Sequence, residues 1–225
     1  MVSSVELVEE PHENSRLQRL KLRIVSLVGY VIPFLASIPP MFGWAGLMTV
    51  PLIFFIIVMG GRFPELPVSI PYLFLGGTIL DAFVVILGLV ILLLSIVVLW
   101  RNKSKGLVTH NLYRIVRHPQ YLGLILFTAG LTSRSVWILM HTFGVGWLNV
   151  QETIMVWIVM VAVYICLASI EELHLSRTFS DSWSEYRKRV GFFIPSPVRL
   201  PRAVEIVLAI AIPIILLYGL IFFSL

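Results

Sequence analysis

The chain has 225 residues, of which 58% are hydrophobic and only 13% charged, with a mean hydropathy of +0.95. Soluble domains are about 45–50% apolar and about 25% charged, so a water-soluble globule, a disordered chain and a collagen-like repeat are all excluded. The 17 Lys and Arg against 12 Asp and Glu leave a net charge of +5, which in so apolar a chain faces the cytoplasm or anionic headgroups rather than nucleic acid.

A polar arm comes first, residues 1–21, mixing Glu6, Glu9, Glu10 and Glu13 with Arg16, Arg19 and Lys21. It reads as a solvated or interfacial segment, and the lateness of the first apolar run argues against a cleaved signal peptide. A helix needs about 20 apolar residues to cross the hydrocarbon core. Spans are predicted over Leu22–Pro40 and Met41–Gly60, with Pro39-Pro40 as a tight hairpin between them. Val68–Thr78 follows as a tilted lead-in or re-entrant piece, and a third span covers Ile79–Trp100 with Asp81 near its start. Tyr121–Met140 and Thr153–Ile170 form a helical hairpin, with Arg134 expected near its turn, where it can snorkel; Ala203–Phe223 is the last span.

The polar stretches between the later spans are strongly basic. Residues 101–120 hold Arg101, Lys103, Lys105, Arg114 and Arg117 and no acid, and residues 171–202 hold six arginines and lysines against four acids. The positive-inside rule puts both in the cytoplasm, two spans apart, as it should be. Counting back three more spans puts Arg16–Arg23 outside, against the same rule.

Common catalytic signatures are absent. There is no G-x-S-x-G, H-E-x-x-H or P-loop, and Gly144-Val145-Gly146 is a lone G-x-G inside an apolar run. The one cysteine, Cys166, excludes an intrachain disulfide and a Cys-rich zinc site. Glu171 and His174 make a single Glu-x-x-His where a di-iron bundle needs two, so no metal is expected.

Two features stand out. Lys105-Gly106-Leu107-Val108, then Tyr113, lead into Arg117-His118-Pro119-Gln120-Tyr121-Leu122-Gly123. Pro119 favours the first turn of a helix, whose free amides and positive dipole suit a carboxylate or phosphate. His118 and Tyr121 add donors and an aromatic wall, and Gly123 permits close backbone approach. Interface anchoring by Arg117, His118 and Tyr121 explains the same spacing equally well. The second feature is Glu171-Glu172, directly after an apolar span: either paired or facing a polar cavity, or a pair of solvated helix-end acids. After them Leu173, Leu175, Phe179, Trp183, Tyr186 and Val190 recur at helical spacing opposite Arg187-Lys188-Arg189. That pattern predicts an amphipathic helix along the membrane surface, closed by Phe192-Phe193-Ile194-Pro195, a segment able to fold back over a pocket.

Arg117-His118-Pro119-x-Tyr121-x-Gly123, followed about fifty residues later by Glu171-Glu172, Phe179, Trp183, Tyr186, Val190 and Ile194-Pro195, resembles the isoprenylcysteine carboxyl methyltransferase family, itself related to the phospholipid N-methyltransferases. The resemblance implies an all-α integral membrane enzyme of about five or six transmembrane helices, with a cytoplasmic amphipathic segment forming a cofactor pocket. It divides the chain into the arm (1–21), N-terminal membrane helices (22–100), a methyltransferase core (101–202) and a C-terminal membrane helix (203–225). The implied cofactor is S-adenosylmethionine, held by Lys105, Gly106, Leu107, Val108, Tyr113, His118, Pro119, Gln120, Tyr121 and Glu171. Glu172 and His174 are the candidates to take a proton from an amine or hydroxyl acceptor. The implied acceptor is a lipid or lipophilic small molecule entering from the bilayer, and the membrane is the cell membrane of a prokaryote or an endoplasmic-reticulum-type membrane.

Two departures from the family matter. Leu167 stands where the family has a substrate-engaging arginine, with Cys166 and Ala168 also neutral. The acceptor is therefore expected to be a lipid amine, a phenolic or quinol hydroxyl, or a carboxylate held by Arg134 or Arg177. Ser180-Asp181 replaces the glycine common after the phenylalanine. Two other functions are weighed against this one. A nicotinamide-dependent reductase of the sterol-reductase kind fits Glu171-Glu172-x-His174 poorly, and a non-enzymatic membrane protein leaves the cationic loop and paired glutamates without a purpose.

Overall fold

The computed structural model describes residues 40–60, 77–102, 106–141, 148–196 and 200–224. Two compact units are present, residues 1–45 and 46–225. Of the first, only the opening turn of a helix is described. The expected arm, the Leu22–Pro40 span, its hairpin, most of Val68–Thr78 and Lys105 lie outside the described residues.

The described chain is helical, and its one β-bridge joins Val116 to Gly191. Helix α1 runs Pro40–Gly60, α2 Ile79–Asn102, α3 Pro119–His141, α4 Val150–Arg189 and α5 Arg202–Ser224, with a single 3-10 turn at Asn111–Arg114 before α3. Helices α2 to α5 are each long and apolar enough to cross a bilayer. The protein is an all-α integral membrane protein. Pro51 in α1 and Pro213 in α5 sit inside their helices, which membrane helices tolerate because neighbouring groups re-satisfy the freed carbonyls.

Local chemistry explains the starts. Thr78 and Asp81 cap α2 reciprocally: Asp81 Oδ2 accepts from the Thr78 amide at 2.8 Å, and Thr78 Oγ1 accepts from the Asp81 amide at 3.2 Å. Asp81 is fully buried in that cap. Asn149 and Glu152 form the same box at the start of α4, with bonds of 2.7 and 2.9 Å. Pro119 opens α3 at the position where its missing amide costs nothing.

Helix α4 differs from the expected outline. Its 40 residues run as two helical stretches that meet at Ser180; the first, residues 150–179, extends about 45 Å, well beyond the hydrocarbon thickness of about 30 Å, so the helix of the span carries on past Glu171 into the amphipathic segment. No glycine or proline interrupts residues 150–189; the only break is a kink at Ser180, where φ is +29°. The apolar face of the last part does not lie on lipid. Trp183, Tyr186 and Val190 are buried against Leu107, Leu175 and Phe179.

Helix α3 is the centre of the bundle. It meets α2 backbone to backbone through glycines: a Cβ on Gly88 would fall 2.3 Å from the Phe127 amide nitrogen, and one on Gly123 would fall 2.6 Å from the Leu92 amide nitrogen. Small residues at these crossings replace the hydrophobic drive that lipid cannot supply. Gly123 thus allows close approach of a helix, rather than of a ligand. On the opposite side α3 buries Tyr121, Ile125 and Ala129 against Trp157, Tyr164 and Ala168 of α4.

Candidate active site

The C-terminal end of α2, the start of α3, the bilayer end of α4 and the start of α5 converge at one face of the bundle. Residues 150–172 of α4 cover about 33 Å, which carries Glu171 and Glu172 to the end of the crossing. The strand-like pairing of Val116 with Gly191, in which the Arg117 amide donates to the Gly191 carbonyl at 2.9 Å, folds the segment after α4 over the turn before α3.

Beneath that cover lies a buried ionic cluster. Arg117 Nε stands 3.3 Å from Glu172 Oε1, and its Nη2 is paired with Glu205 of α5. Arg202 Nη1 reaches Glu172 Oε2 at 2.9 Å, and its Nη2 donates to Ser169 Oγ at 2.8 Å. The His118 ring lies between two carboxylates, with Nδ1 at 3.6 Å from Glu171 Oε2 and Nε2 at 3.3 Å from Glu172 Oε1. Counting His118 as imidazolium, three cations face three anions. Burial would push the His118 pKa below the ordinary 6.5, but hydrogen bonding and charge from the two glutamates outweigh it, and the net direction is up.

Aromatic rings roof the cluster. Phe192 and Phe193 stack at 4.3 Å, Phe192 presents its face to the His118 edge at 5.2 Å, and the Arg202 guanidinium lies 4.2 Å over Phe192. Tyr121 and Tyr164 continue the wall, and neither is accessible to solvent. Tyr113 is the hinge pin. Its hydroxyl donates to Gln120 Oε1 at 3.0 Å and its carbonyl accepts from the Tyr186 hydroxyl at 2.6 Å. Burial first, and the nearby Glu171 second, hold the Tyr113 phenol well above its ordinary pKa, so it acts as a neutral donor.

Within this network five buried polar atoms make no hydrogen bond: Arg117 Nε and Nη1, His118 Nδ1, Glu171 Oε2 and the Tyr121 hydroxyl. The last three belong to one place, since Nδ1 faces Oε2 across an ion-pair contact of 3.6 Å and Glu171 also acts on the Tyr121 phenol. Unsatisfied buried groups cost roughly 1–3 kcal/mol each, and a cluster of them marks where a polar ligand would bind. Beside the network, past Tyr186, opens a surface cavity of about 920 Å³ lined by Gly106, Leu107, Phe179, Tyr186 and the charged Arg114 and Glu185.

The structure therefore brings together His118, Pro119, Gln120, Tyr121, Tyr113, Glu171 and Glu172, and sets Gly106 and Leu107 in the adjoining cavity, while Val108 is half-buried nearby. His174 is exposed on α4, two residues beyond Glu172. Glu172 does, but as the ionic hub of Arg117, Arg202 and His118, which leaves its oxygens engaged. Leu167 is half-buried against the apolar core. Arg134 lies 15 residues along α3 from the site, about 22 Å away; it is buried beside Gly77 and the Asp81 cap at the opposite end of the bundle. It neither snorkels nor approaches the cluster. Sequence reasoning passed over Arg202, Glu205 and Ser169. Glu205 carried a usable signal, an acid four residues into an apolar span.

No family model and no solved structure matches the chain. It is similar to the protein-S-isoprenylcysteine O-methyltransferase of Schizosaccharomyces pombe (strain 972 / ATCC 24843), 33% identical over 95 residues, which is 42% of this chain and 35% of that protein. The chain thus matches about a third of the length of that relative.

Proposed function

We propose that the chain is an S-adenosylmethionine-dependent methyltransferase of the membrane, acting on a lipophilic acceptor that enters from the bilayer, with its cofactor site on the cytoplasmic face. The observation that carries the reading is the grouping of three buried polar atoms that make no hydrogen bond within 3.5 Å, on His118, Glu171 and Tyr121, beneath an aromatic roof. The basic loops at that end of the bundle support the cytoplasmic orientation, and the named activity of the similar yeast protein supports the reaction class.

The residues fit the cofactor's chemistry. Glu171 offers a carboxylate oxygen to the ammonium or ribose hydroxyls, Tyr121 and His118 offer hydrogen bonds, and the neighbouring rings offer faces to a cation. Gly106, Leu107 and Phe179 would wall the nucleoside in a cavity of ordinary small-molecule size. Bound there, S-adenosylmethionine supplies a methyl group made electrophilic by its sulfonium. The protein's part is to orient the acceptor and exclude water. A hydroxyl or amine acceptor must also lose a proton, and Glu171, whose Oε2 makes only the 3.6 Å contact to His118, is better placed to take it than the engaged Glu172. Leu167, one turn before Glu171, leaves the acceptor end of the site apolar, which favours a neutral lipid hydroxyl or an amine over a carboxylate.

The test is thermal denaturation of detergent-purified protein with millimolar S-adenosylhomocysteine or NADPH. Only the former should raise the melting temperature, through mass action; a rise with NADPH alone overturns the proposal. Labelled methyl donor, incubated with membranes containing the protein, then identifies the acceptor lipid.

A further inference from the structure

The last membrane helix looks dispensable to a site built from α3 and α4, yet two of its residues are wired into the cluster. Glu205, buried in the first turn of α5, pairs with Arg117 across 88 residues of sequence. Arg202, one turn earlier, bridges Glu172 and Ser169 of α4 and lies over Phe192. Arg117 in turn reaches Glu172, the carboxylate that faces His118 Nε2. We infer that Glu205 is a positioning residue for the site: by neutralising Arg117 it leaves Glu172 free to hold His118, and so sets the proton on His118 and the ring's orientation toward Glu171.

Arg117 is fully buried, and a buried guanidinium needs compensation. With Glu205 present it has two carboxylates and draws only part of the charge of Glu172. Without Glu205, Arg117 and Arg202 both fall on Glu172, and His118 is left with the longer 3.6 Å contact to Glu171 as its less contested partner. Among the described residues, the charged and titratable groups around His118 and its carboxylates are Arg117 beside it, Tyr113 before α3, Tyr121 on α3, Glu171, Glu172 and Tyr186 on α4, and Arg202 and Glu205 on α5. Losing the α5 anion makes the cluster more positive and disfavours the imidazolium; losing the α5 cation does the reverse.

That opposite sign is the test. In the full-length detergent-solubilised protein, histidine rings labelled with carbon-13 are titrated by NMR, and the His118 signal is assigned by its loss in His118→Gln. Glu205→Gln should lower the His118 midpoint by about one pH unit and Arg202→Gln should raise it by a similar amount, while Glu205→Asp restores the wild-type value. Midpoints that stay put in both glutamine variants, or move in the same direction, overturn the inference. If Glu205→Gln does not fold, Arg202→Gln decides alone: a midpoint unchanged or lowered refutes it. The catalytic meaning of the arrangement rests on the methyltransferase reading, but this readout needs no ligand. Binding of S-adenosylhomocysteine to wild-type protein, measured in parallel, tests that reading separately.

Discussion

Glu171→Gln separates binding from folding. The Glu171 side chain is only 16% exposed, and its Oε2 is buried without a hydrogen-bond partner in the protein. The amide keeps the size and most of the polarity of the acid, so the unliganded protein loses only the attraction to His118 across 3.6 Å, a contact too long for a strong bond. The melting temperature without ligand should therefore change by no more than a few degrees. Binding should change far more. A charge-assisted bond in a half-buried site is worth about 1.5–3 kcal/mol, which is roughly a 10- to 150-fold increase in Kd. Isothermal titration of S-adenosylhomocysteine into wild-type and variant protein measures it, with the thermal midpoint as the folding control. Wild-type affinity in a folded variant would remove Glu171 from the ligand site; a collapse in stability without ligand would mean that the acid holds the fold together.

Other outcomes follow from the same geometry. Gly88→Ala puts a methyl group 2.3 Å from a backbone nitrogen of α3, so α2 and α3 must part, and a loss of about 1–3 kcal/mol is expected, read as a lowered thermal midpoint; an unchanged midpoint would mean the helices do not touch there. Ser180→Gly should raise the midpoint, because φ of +29° at the α4 kink strains any residue with a Cβ by about 1–3 kcal/mol, more than the roughly 1 kcal/mol a helical glycine costs. A lowered midpoint would show that the serine is unstrained. For His118 the folded pKa is raised, so its ionic contribution is complete below the ordinary value near 6.5 and disappears as pH climbs through the folded value. The stability difference between wild type and His118→Asn should accordingly shrink on alkaline titration, and a difference that grows would reverse the sign argued here.

The helices were readable in advance because hydropathy alone decides them: a run of about 20 apolar residues has one way to satisfy its backbone in lipid. The predicted start and end of α2, α3 and α5 accordingly fall within two residues of the observed ones. Where α4 ends was not readable, since nothing in residues 150–189 punctuates the helix and the membrane surface does not break it. The approach of Tyr121, His118 and Glu171 was visible only as a family resemblance, for two short patterns fifty residues apart carry no distance between them. Arg134 misled for a related reason. Hydropathy shows that an arginine within a span must find company, but not at which end of the bundle.

What sequence patterns hide most thoroughly is partner choice among charges. Arg117, Glu172, Arg202 and Glu205 come from three separate elements, and each is an ordinary helix-end residue taken singly. Helix geometry brings them together. The α2–α3 glycine contact fixes the tilt of α3, the Val116–Gly191 bridge returns the chain over the site, and that return feeds α5 into the bundle beside Glu172. Only then does the desolvation cost of each charge require the others. A cluster assembled this way has little tolerance for losing one member, because each buried charge is balanced by the others. The atoms on His118, Glu171 and Tyr121 that make no hydrogen bond stand together, and that is the physical reason to look for the ligand there rather than at the better-paired Glu172.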